Sequence, residues 1–398
     1  MINYNSTLEK VDKKLKSSFK FYEFFAGGGM ARAGLGKKWE CLLANDFDFK
    51  KSSTYSTNWG NNSLVNADIK TLKSSDLKGT ADLVWASFPC QDLSLAGGGA
   101  GLRGERSGTF WPFWDLMKSL LNENRAPNII ALENVCGSLT SHQGKDFAAI
   151  CSALNEANYR FGALVIDASL FLPHSRPRLF IIAIHRGCEI PDELILSKSK
   201  STFHTKQLIK AYDILSEEEK NNWIWWSVPT PTKKVSKFID ILEEDANIQK
   251  WDSPQKTEEL LQMMSDVNLE KVEKAKNSGV KKVGTLYKRT RKDLEGNKIQ
   301  RAEVRFDDIA GCLRTPSGGS SRQSILIVNG NNIRSRLISI RETARLMGLP
   351  ESYVLPINYN EGYHLTGDGV AVPVVRHLAE NIFEKVITYI KLKRMDAA

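Results

Sequence analysis

Two residues of the 398-residue chain have types and positions suited to covalent chemistry. Cys90 stands in Ala86-Ser-Phe-Pro-Cys-Gln-Asp-Leu-Ser94, directly after an apolar run, in a turn that Pro89 stiffens. A thiolate there is a strong nucleophile once nearby positive charge or a helix N-terminus lowers its pKa. The next apolar run ends in Leu132-Glu-Asn-Val135, which brings the carboxyl group of Glu133 to a matching height. Either residue alone reads as structural; the pair at successive strand ends does not. A third feature is Phe24-Phe-Ala-Gly-Gly-Gly-Met30, a turn whose glycines permit positive φ and close approach of a ligand. Gly27-x-Gly29 lacks the later glycine of a dinucleotide fingerprint, since Arg32 stands there. About 20 residues on, Asp46 ends a strand where a carboxylate can accept from ribose hydroxyls, and Asp68 adds another carboxylate at a third strand end. These features suit an adenosine-containing ligand and leave a nicotinamide cofactor and S-adenosylmethionine both open.

Such residues need strands to present them. Apolar runs at Phe19–Phe25, Glu40–Ala44, Ala81–Ala86, Asn128–Leu132, Phe161–Ile166 and Arg178–Ile184 alternate with helical spacing at Phe110–Leu121 and Asp146–Leu154. The alternation predicts an α/β domain with a mostly parallel sheet and ligands at the carboxyl ends of its strands. After Gly187 the character changes: residues 188–335 are rich in Lys, Glu, Ser, Asn and isolated Trp, without βα alternation. Helical patterning returns from Arg336, and Val374–Tyr389 reads as one amphipathic helix. The expected organisation is a catalytic domain over 1–187, an inserted smaller domain over 188–335 and a segment over 336–398 that completes the first.

Composition fits this reading. The chain is 41% hydrophobic and 25% charged, with a net charge of +9 that favours an anionic partner. No apolar run reaches the roughly 20 residues of a membrane span. Met1–Lys20 is polar and Lys-rich, so no secretory signal is expected and a cytoplasmic location is. The six cysteines (Cys41, Cys90, Cys136, Cys151, Cys188, Cys312) form no C-x-x-C pair, so neither a zinc site nor a disulfide framework is expected.

At this point the chain resembles the DNA (cytosine-5)-methyltransferase family of bacterial restriction-modification systems, over nearly its whole length except the middle. Phe25-Ala-Gly-x-Gly29 resembles the family's cofactor loop, Phe88-Pro-Cys-Gln91 its nucleophile motif and Glu133-Asn-Val135 its acid motif. Arg106-Ser-Gly-Thr109 is similar to a further cofactor-side motif, and Pro173-His-Ser-Arg-Pro-Arg178 to a paired-arginine motif. Arg336 with Arg341–Gly348 resembles the helical segment after the variable domain, and Gly367-Asp-Gly-Val-Ala-Val-Pro373 the closing motif beside the cofactor. Seven such segments in the family's order are not a chance match. Three positions depart from the pattern: His174 stands where Gln is usual (with Pro177 for a commonly polar residue), Asp368 where Asn is usual, and Met30 where Gly is frequent.

The resemblance implies an S-adenosylmethionine-dependent, Rossmann-like fold with an inserted target-recognition domain. It implies methyl transfer from S-adenosyl-L-methionine to C5 of a cytosine flipped out of duplex DNA. Cys90 would add to C6, Glu133 would act as acid at N3, Arg178 would contact O2, and Arg176 would organise the carboxylate and loop. Phe25, Ala26, Gly27, Gly29, Asp46, Phe47, Asp68, Ile69, Pro89, Thr109, Asp368 and Val370 would hold the cofactor. Gln91, Ser94, Arg103, Arg106, Arg314 and Arg322 would contact DNA, and no metal is implied. Ala96–Arg103 would form a mobile loop over the target.

In the middle region, residues 281–335 carry twelve basic residues against five acidic ones, which suits phosphate contacts. Arg314 and Arg322, flanking Thr315-Pro-Ser-Gly-Gly, are candidates for guanine edges. Trp223, Trp225 and Trp226 are expected in the small domain's core, and the acidic stretch Asp240–Asp252 on an outer face. The implied partner is duplex DNA with a specific recognition sequence, in functional company with a restriction endonuclease but no stable complex, by a monomer that binds no membrane and works at the nucleoid. Competing readings are a tRNA cytosine-5 methyltransferase, a nicotinamide-dependent oxidoreductase and a non-catalytic DNA-binding relative. Adenine or cytosine-N4 methylation would need an Asp/Ser/Asn-Pro-Pro-aromatic tetrapeptide, which the sequence lacks.

Overall fold

The apolar runs between Phe19 and His185 assemble into one seven-stranded sheet, seen in a computed structural model that describes residues 19–89, 107–232, 236–244, 250–293, 295–314 and 321–396. Cys90, Gln91, Ser94, Arg103, Arg106, the Ala96–Arg103 loop and the Thr315–Gly319 stretch lie outside the described residues. The strands are β1 (Phe19–Phe24), β2 (Trp39–Asp46), β3 (Leu64–Asn66), β4 (Leu83–Ala86), β5 (Ile129–Val135), β6 (Tyr159–Asp167) and β7 (Pro177–His185). Their order is β3-β2-β1-β4-β5-β7-β6, parallel except β7, which runs antiparallel to both β5 and β6. β1, β4 and β5 are buried almost throughout, as central parallel strands covered on both faces must be.

Register decides where chemistry can occur. Phe24 lies beside Asn45 and Ala86, and Ala86 beside Leu132. The next residues, Phe25, Asp46, Ser87 and Glu133, therefore emerge at one level on the carboxyl edge.

The helices among the described residues follow the same logic. They are α1 (Met30–Leu35), α2 (Phe49–Trp59), α3 (Phe110–Asn122), α4 (Lys145–Glu156), α5 (Lys206–Asp213), α6 (Glu217–Asn221), α7 (Pro254–Gln262), α8 (Asp266–Lys276), α9 (Ile340–Leu346), α10 (Tyr359–Asp368), α11 (Val372–Leu378) and α12 (Glu384–Asp396). In α3, Phe110, Phe113, Trp114, Met117 and Leu120 recur at helical spacing and are buried, with α4, against one face of the sheet. Burying each such side chain contributes roughly 1.5–3 kcal/mol, well above the differences in helix propensity. The other face is covered by α1, α11 and α12: Leu378, Ile382, Phe383, Val386 and Ile387 meet Phe21, Leu83, Trp85 and Ala131.

The structure modifies several expectations. Val374–Tyr389 is not one regular helix, because a π-helical turn over Ala379–Phe383 separates α11 from α12. Such a turn resets the register of a helix, and both Ile382 and Phe383 face the core across it. The change in sequence character at Gly187 is not a break in packing. A short antiparallel pair forms there, β8 (Ile195–Leu196) with β9 (Trp225–Trp226). Around it Cys188, Ile190, Leu194, Phe203, Ile224, Trp226 and Val228 join the core of the large sheet. Ile224 lies so close to β6 that a side chain at Gly162 would strike its carbonyl. Trp226 is therefore core of the large sheet rather than of a small domain, and Trp223 stands edge-on to Phe147 and Phe161. The acidic stretch also turns partly inward: the Glu243 amide donates to Glu342, and Asp252 accepts from Ser335 at 2.8 Å.

Beyond Pro254 a second sheet appears that sequence patterning did not predict. β10 (Lys282–Lys292), β11 (Lys298–Arg305), β12 (Ser324–Asn329) and β13 (Asn332–Leu337) are antiparallel in the order β11-β10-β12-β13. Leu286, Ala302, Val304, Leu326 and Val328 pack one face onto Leu260, Met264, Val272 and Ala275 of α7, α8 and the intervening turn. Val283, Ile325 and Ile327 on the other face join the main core. Among the described residues no helix is long and apolar enough to cross a membrane.

Candidate active site

The glycine turn after β1 is held from three sides. Gly27 and Gly29 adopt left-handed φ of 55° and 77°, and a Cβ at Gly29 would collide with Trp59 and Tyr55. Trp59 Nε1 and the Tyr353 hydroxyl both donate to the Gly28 carbonyl, at 3.0 and 2.7 Å. At Gly27, by contrast, a Cβ would enter open space, which leaves room for a ligand above the turn. The Gly27 amide donates to Asp46 Oδ2 at 2.7 Å and the Asp48 amide to Oδ1 at 2.8 Å, fixing the carboxylate at the end of β2. Burial pushes the Asp46 pKa up, against the opposing pull of Lys51 and these two amides.

Beside Asp46 the ring of Phe47 is 76% exposed, although aromatic rings of this size are usually covered. Asp68 caps a short turn through the Lys70 amide, and Ile69 behind it is buried. Fixed carboxylates, an uncovered aromatic ring and an open glycine turn match the hydroxyls, base and close backbone approach of an adenosine-containing group. Asp368 ends α10 nearby and is ion-paired to Lys51 at 2.7 Å. Val370 is buried just beyond it. Met30, in place of a glycine, fills the space that Gly369 leaves open.

The second half of the site lies at the ends of β4, β5 and β7. Asn134 donates from Nδ2 to the Phe88 carbonyl at 3.3 Å and accepts from the Val135 amide at 2.8 Å. It thereby fixes the Phe88-Pro89 turn to the strand that carries Glu133. Phe88 is buried against Phe110 at a ring distance of 5.4 Å, which brings Thr109 at the start of α3 to the same edge. Glu133 is 6% exposed, and Arg178 Nε lies 3.3 Å from its Oε1. Val135 pairs with Arg178 across β5 and β7, so Glu133, two residues away, shares its face.

Arg176 behaves differently from its expected role of organising the Glu133 carboxylate. It is 2% exposed, and Nη2 donates to the carbonyls of Gly367 and Gly369 at 2.8 and 2.6 Å. Nη1 donates to Leu313 at 3.3 Å. It clasps the closing motif to the segment before Arg314. The reason is position: Arg176 precedes β7, whereas Arg178 lies within it. His174 works beside it, with Nδ1 donating to the Leu346 carbonyl and Nε2 accepting from the Leu313 amide. Burial drives the His174 pKa down to about 3.

Sequence reasoning missed Lys51, Tyr353, Trp59 and Cys312, because their partners lie far away in the chain. Burial alone would raise the Cys312 thiol, but Arg176, Arg178 and Arg314 outweigh it and lower the pKa. Arg314 itself is exposed. Arg322, by contrast, donates to Asn360 and lies over the Tyr359 ring, so it is tied to the start of α10.

This combination of a parallel sheet with one reversed strand, an adenosine-type edge and a Glu–Arg pair coincides with a family-level match. The family model for C-5 cytosine-specific DNA methylases matches residues 19–384. The chain belongs to this family. It is a DNA (cytosine-5)-methyltransferase that uses S-adenosyl-L-methionine. Among its relatives, Type II methyltransferase M.HpaII of Haemophilus parainfluenzae is 24% identical over 393 residues, covering 94% of this chain and 91% of that protein. Type II methyltransferase M.DsaV of Dactylococcopsis salina is 26% identical over 381 residues, with coverage of 95% and 88%. In fold, the chain is similar to the S. pombe Dnmt2 methyltransferase, with a TM-score of 0.58 at 18% identity over 92% of this chain and 99% of that one. It is also similar to the Entamoeba histolytica methyltransferase EhMeth, with a TM-score of 0.60 at 14% identity over 93% and 99%. The resemblance read from the motifs and the expected α/β class are thus both borne out, and membership of this family sets aside the nicotinamide-dependent reading.

Proposed function

We propose that this methyltransferase modifies C5 of a flipped cytosine within a specific duplex DNA sequence, through a covalent bond between Cys90 and C6. The observation that carries this reading is the Glu133–Arg178 pair beside the turn that leads into Cys90. The Cys90 thiolate forms the S–C6 bond while Glu133 holds the proton at N3 and Arg178 donates to O2, so charge developing on the ring is stabilised. S-adenosyl-L-methionine supplies the methyl group to C5. Loss of the C5 proton then restores the ring as the S–C6 bond breaks and Cys90 leaves.

Phe25, Ala26, Gly27, Gly29, Asp46, Phe47, Asp68, Ile69, Pro89, Thr109, Asp368 and Val370 are proposed to hold the cofactor. Asp46 would accept from the ribose, and Phe47 would stack on the base. Gln91, Ser94, Arg103 and Arg106 are proposed DNA contacts that follow the nucleophile. Arg314 is proposed to read bases, and Arg322 to contact DNA from its place at α10.

For target recognition we assign the region 188–335, inserted between catalytic parts 1–187 and 336–398. Pairing supports a specific surface within it. β10 pairs with β12 only over Lys282–Leu286, but with β11 over Thr285–Lys292. Its outer half is therefore a two-stranded ribbon that carries Lys288, Arg289, Arg291, Lys292, Lys298 and Arg301. A ribbon of this width fits the major groove of duplex DNA. We further propose a cytoplasmic monomer, active at the nucleoid, that protects host DNA from a restriction endonuclease without forming a stable complex with it.

The test is incubation with S-adenosyl-L-methionine and DNA containing 5-fluorocytosine. A covalent adduct with the wild-type chain that disappears in Cys90→Ser is the expected result. Absence of any adduct across a library of sites, or transfer of labelled methyl to tRNA but not DNA, would overturn the reading. Bisulfite sequencing of host DNA then reports the recognition sequence.

A further inference from the structure

Three consecutive glycines give the turn after β1 no side chains with which to hold itself, so its shape depends on contacts from elsewhere. Those contacts reach it from the inner side. A side chain at Gly28 would strike the Tyr353 hydroxyl and Leu365, and one at Gly29 would strike Trp59 and Tyr55, whereas Gly27 faces open space. The Gly28 carbonyl accepts from Trp59 Nε1 at 3.0 Å and from the Tyr353 hydroxyl at 2.7 Å. A carbonyl oxygen has two lone pairs, and these two donors satisfy it. The amide of the same peptide, that of Gly29, donates to the Ala26 carbonyl at 2.8 Å. The peptide is therefore held at both ends.

The two donors belong to distant segments: Trp59 ends α2, and Tyr353 lies between α9 and α10. They are fastened to one another by their neighbours. Asn58 Oδ1 accepts from the Val354 amide at 2.8 Å, and Asn58 Nδ2 donates to the Val354 carbonyl at 2.9 Å. From α9, Arg341 Nη2 donates to the Tyr353 carbonyl at 2.9 Å. Tyr353 itself is 3% exposed, so water does not compete for its hydroxyl. A buried hydroxyl and an indole N–H aimed at one carbonyl leave the Gly28–Gly29 peptide a single orientation.

We propose that Tyr353 and Trp59 are cofactor-positioning residues, which hold the glycine turn through the Gly28 carbonyl in the conformation that receives S-adenosylmethionine. This inference rests on the proposed cofactor site. Its physical basis is preorganisation: a turn that is already fixed binds without the entropy loss of ordering it, and glycine has the most freedom to lose. Removing one donor leaves the carbonyl with a single partner and lets the peptide sample other orientations. The pin acts on backbone and not on the sulfonium group. It therefore serves S-adenosylmethionine and S-adenosylhomocysteine alike, and its loss weakens both by the same factor.

Calorimetric titration of full-length Tyr353→Phe with S-adenosylmethionine and with S-adenosylhomocysteine tests this, because phenylalanine keeps the ring and removes only the hydroxyl. The dissociation constant of each ligand is expected to rise about three- to tenfold, the equivalent of one net hydrogen bond. Tyr159→Phe is the control: the Tyr159 hydroxyl is as deeply buried and donates to the Pro127 carbonyl at 2.9 Å, but at the amino edge of the sheet. It should lower the urea midpoint about as much as Tyr353→Phe and leave both affinities unchanged. An equal loss of affinity in Tyr159→Phe would mark a general effect of lost stability and overturn the inference. Wild-type affinities in Tyr353→Phe, or a change confined to one ligand, would overturn it too, and all three results leave the cofactor site intact. A wild-type chain that binds neither ligand overturns both the inference and the site. If Tyr353→Phe does not fold, Trp59→Phe tests the same carbonyl and should weaken both ligands in the same way.

Discussion

Replacing Arg176 with Met separates architecture from chemistry. Three carbonyls, of Leu313, Gly367 and Gly369, accept from its guanidinium, and the side chain is almost wholly buried. Leaving a buried acceptor without its donor costs roughly 1–1.5 kcal/mol each at the lower end of the measured range. Against this, Arg176 Nε has no hydrogen-bond partner among the described residues, and removing it recovers about 1 kcal/mol. Met fills most of the space, so the net loss is about 3 kcal/mol. Urea unfolding of Arg176→Met should show a lowered midpoint and a loss of unfolding free energy of that size. Because the clasp holds Gly367 and Gly369 on either side of Asp368, the KM for S-adenosylmethionine should also rise. Adduct formation on 5-fluorocytosine DNA, at saturating cofactor and corrected for the folded fraction, should change by less than about threefold, because the guanidinium is engaged away from Glu133. Arg178→Lys should behave in the opposite way. Its Nε lies 3.3 Å from Glu133, and losing a stabilising donor of this kind typically costs about 10²–10³ in rate. An Arg176→Met variant with a wild-type urea midpoint and adduct formation reduced as far as in Arg178→Lys would refute the division of labour between the two arginines.

Two further outcomes are expected. Burial raises the Glu23 carboxyl to about 8, against the opposing influence of Arg32, so the folded chain holds a proton that the unfolded chain releases near pH 4.5; stability from this group is full below that pH and declines by about 1.4 kcal/mol per unit up to about pH 8. Glu23→Gln should therefore gain stability relative to wild type as pH rises from 5 to 8, and a gain independent of pH would contradict the assignment. Replacing Lys288, Lys292, Lys298 and Arg301 with Gln should flatten the salt dependence of DNA binding by about 0.9 for each phosphate no longer neutralised, measured by fluorescence anisotropy, with S-adenosylhomocysteine affinity unchanged.

How much was legible depended on which interactions were local. Strands β1, β4 and β5 are buried on both faces, and their apolar runs marked them plainly. Register with their neighbours then placed the residues along the carboxyl edge, which is why Asp46 at the end of β2 and Glu133 on β5 emerge at one level. The smaller sheet escaped notice because it is antiparallel and half exposed. β10 turns from buried to exposed beyond Leu286, where β12 no longer covers it. Packing around the region after Gly187 was hidden for a different reason: its composition is polar and Trp-rich, and spacing does not show that Ile224 and Trp226 pack onto the core of the large sheet. Interactions between distant segments left no local trace. Nothing in the spacing of residues 28 and 353 announces that a tyrosine hydroxyl pins a glycine carbonyl.

The departures from the family pattern show what a motif constrains. Each of the three altered positions is matched by its surroundings. Met30 occupies the volume that Gly369 leaves free. The charge of Asp368 meets Lys51. His174 offers one donor to Leu346 and one acceptor to Leu313, the same pair of functions that a glutamine amide provides. That equivalence holds only while the imidazole is neutral, since a protonated ring has two donors and nothing to receive the Leu313 amide. Burial supplies the condition by lowering the His174 pKa to about 3, below any pH at which the fold must work. What such positions preserve is therefore volume, charge balance or donor–acceptor count, each measured against a partner elsewhere in the fold. The proposed reacting groups would have no such freedom, because a thiolate, an acid at N3 and a donor at O2 would answer to the cytosine ring, whose chemistry does not change.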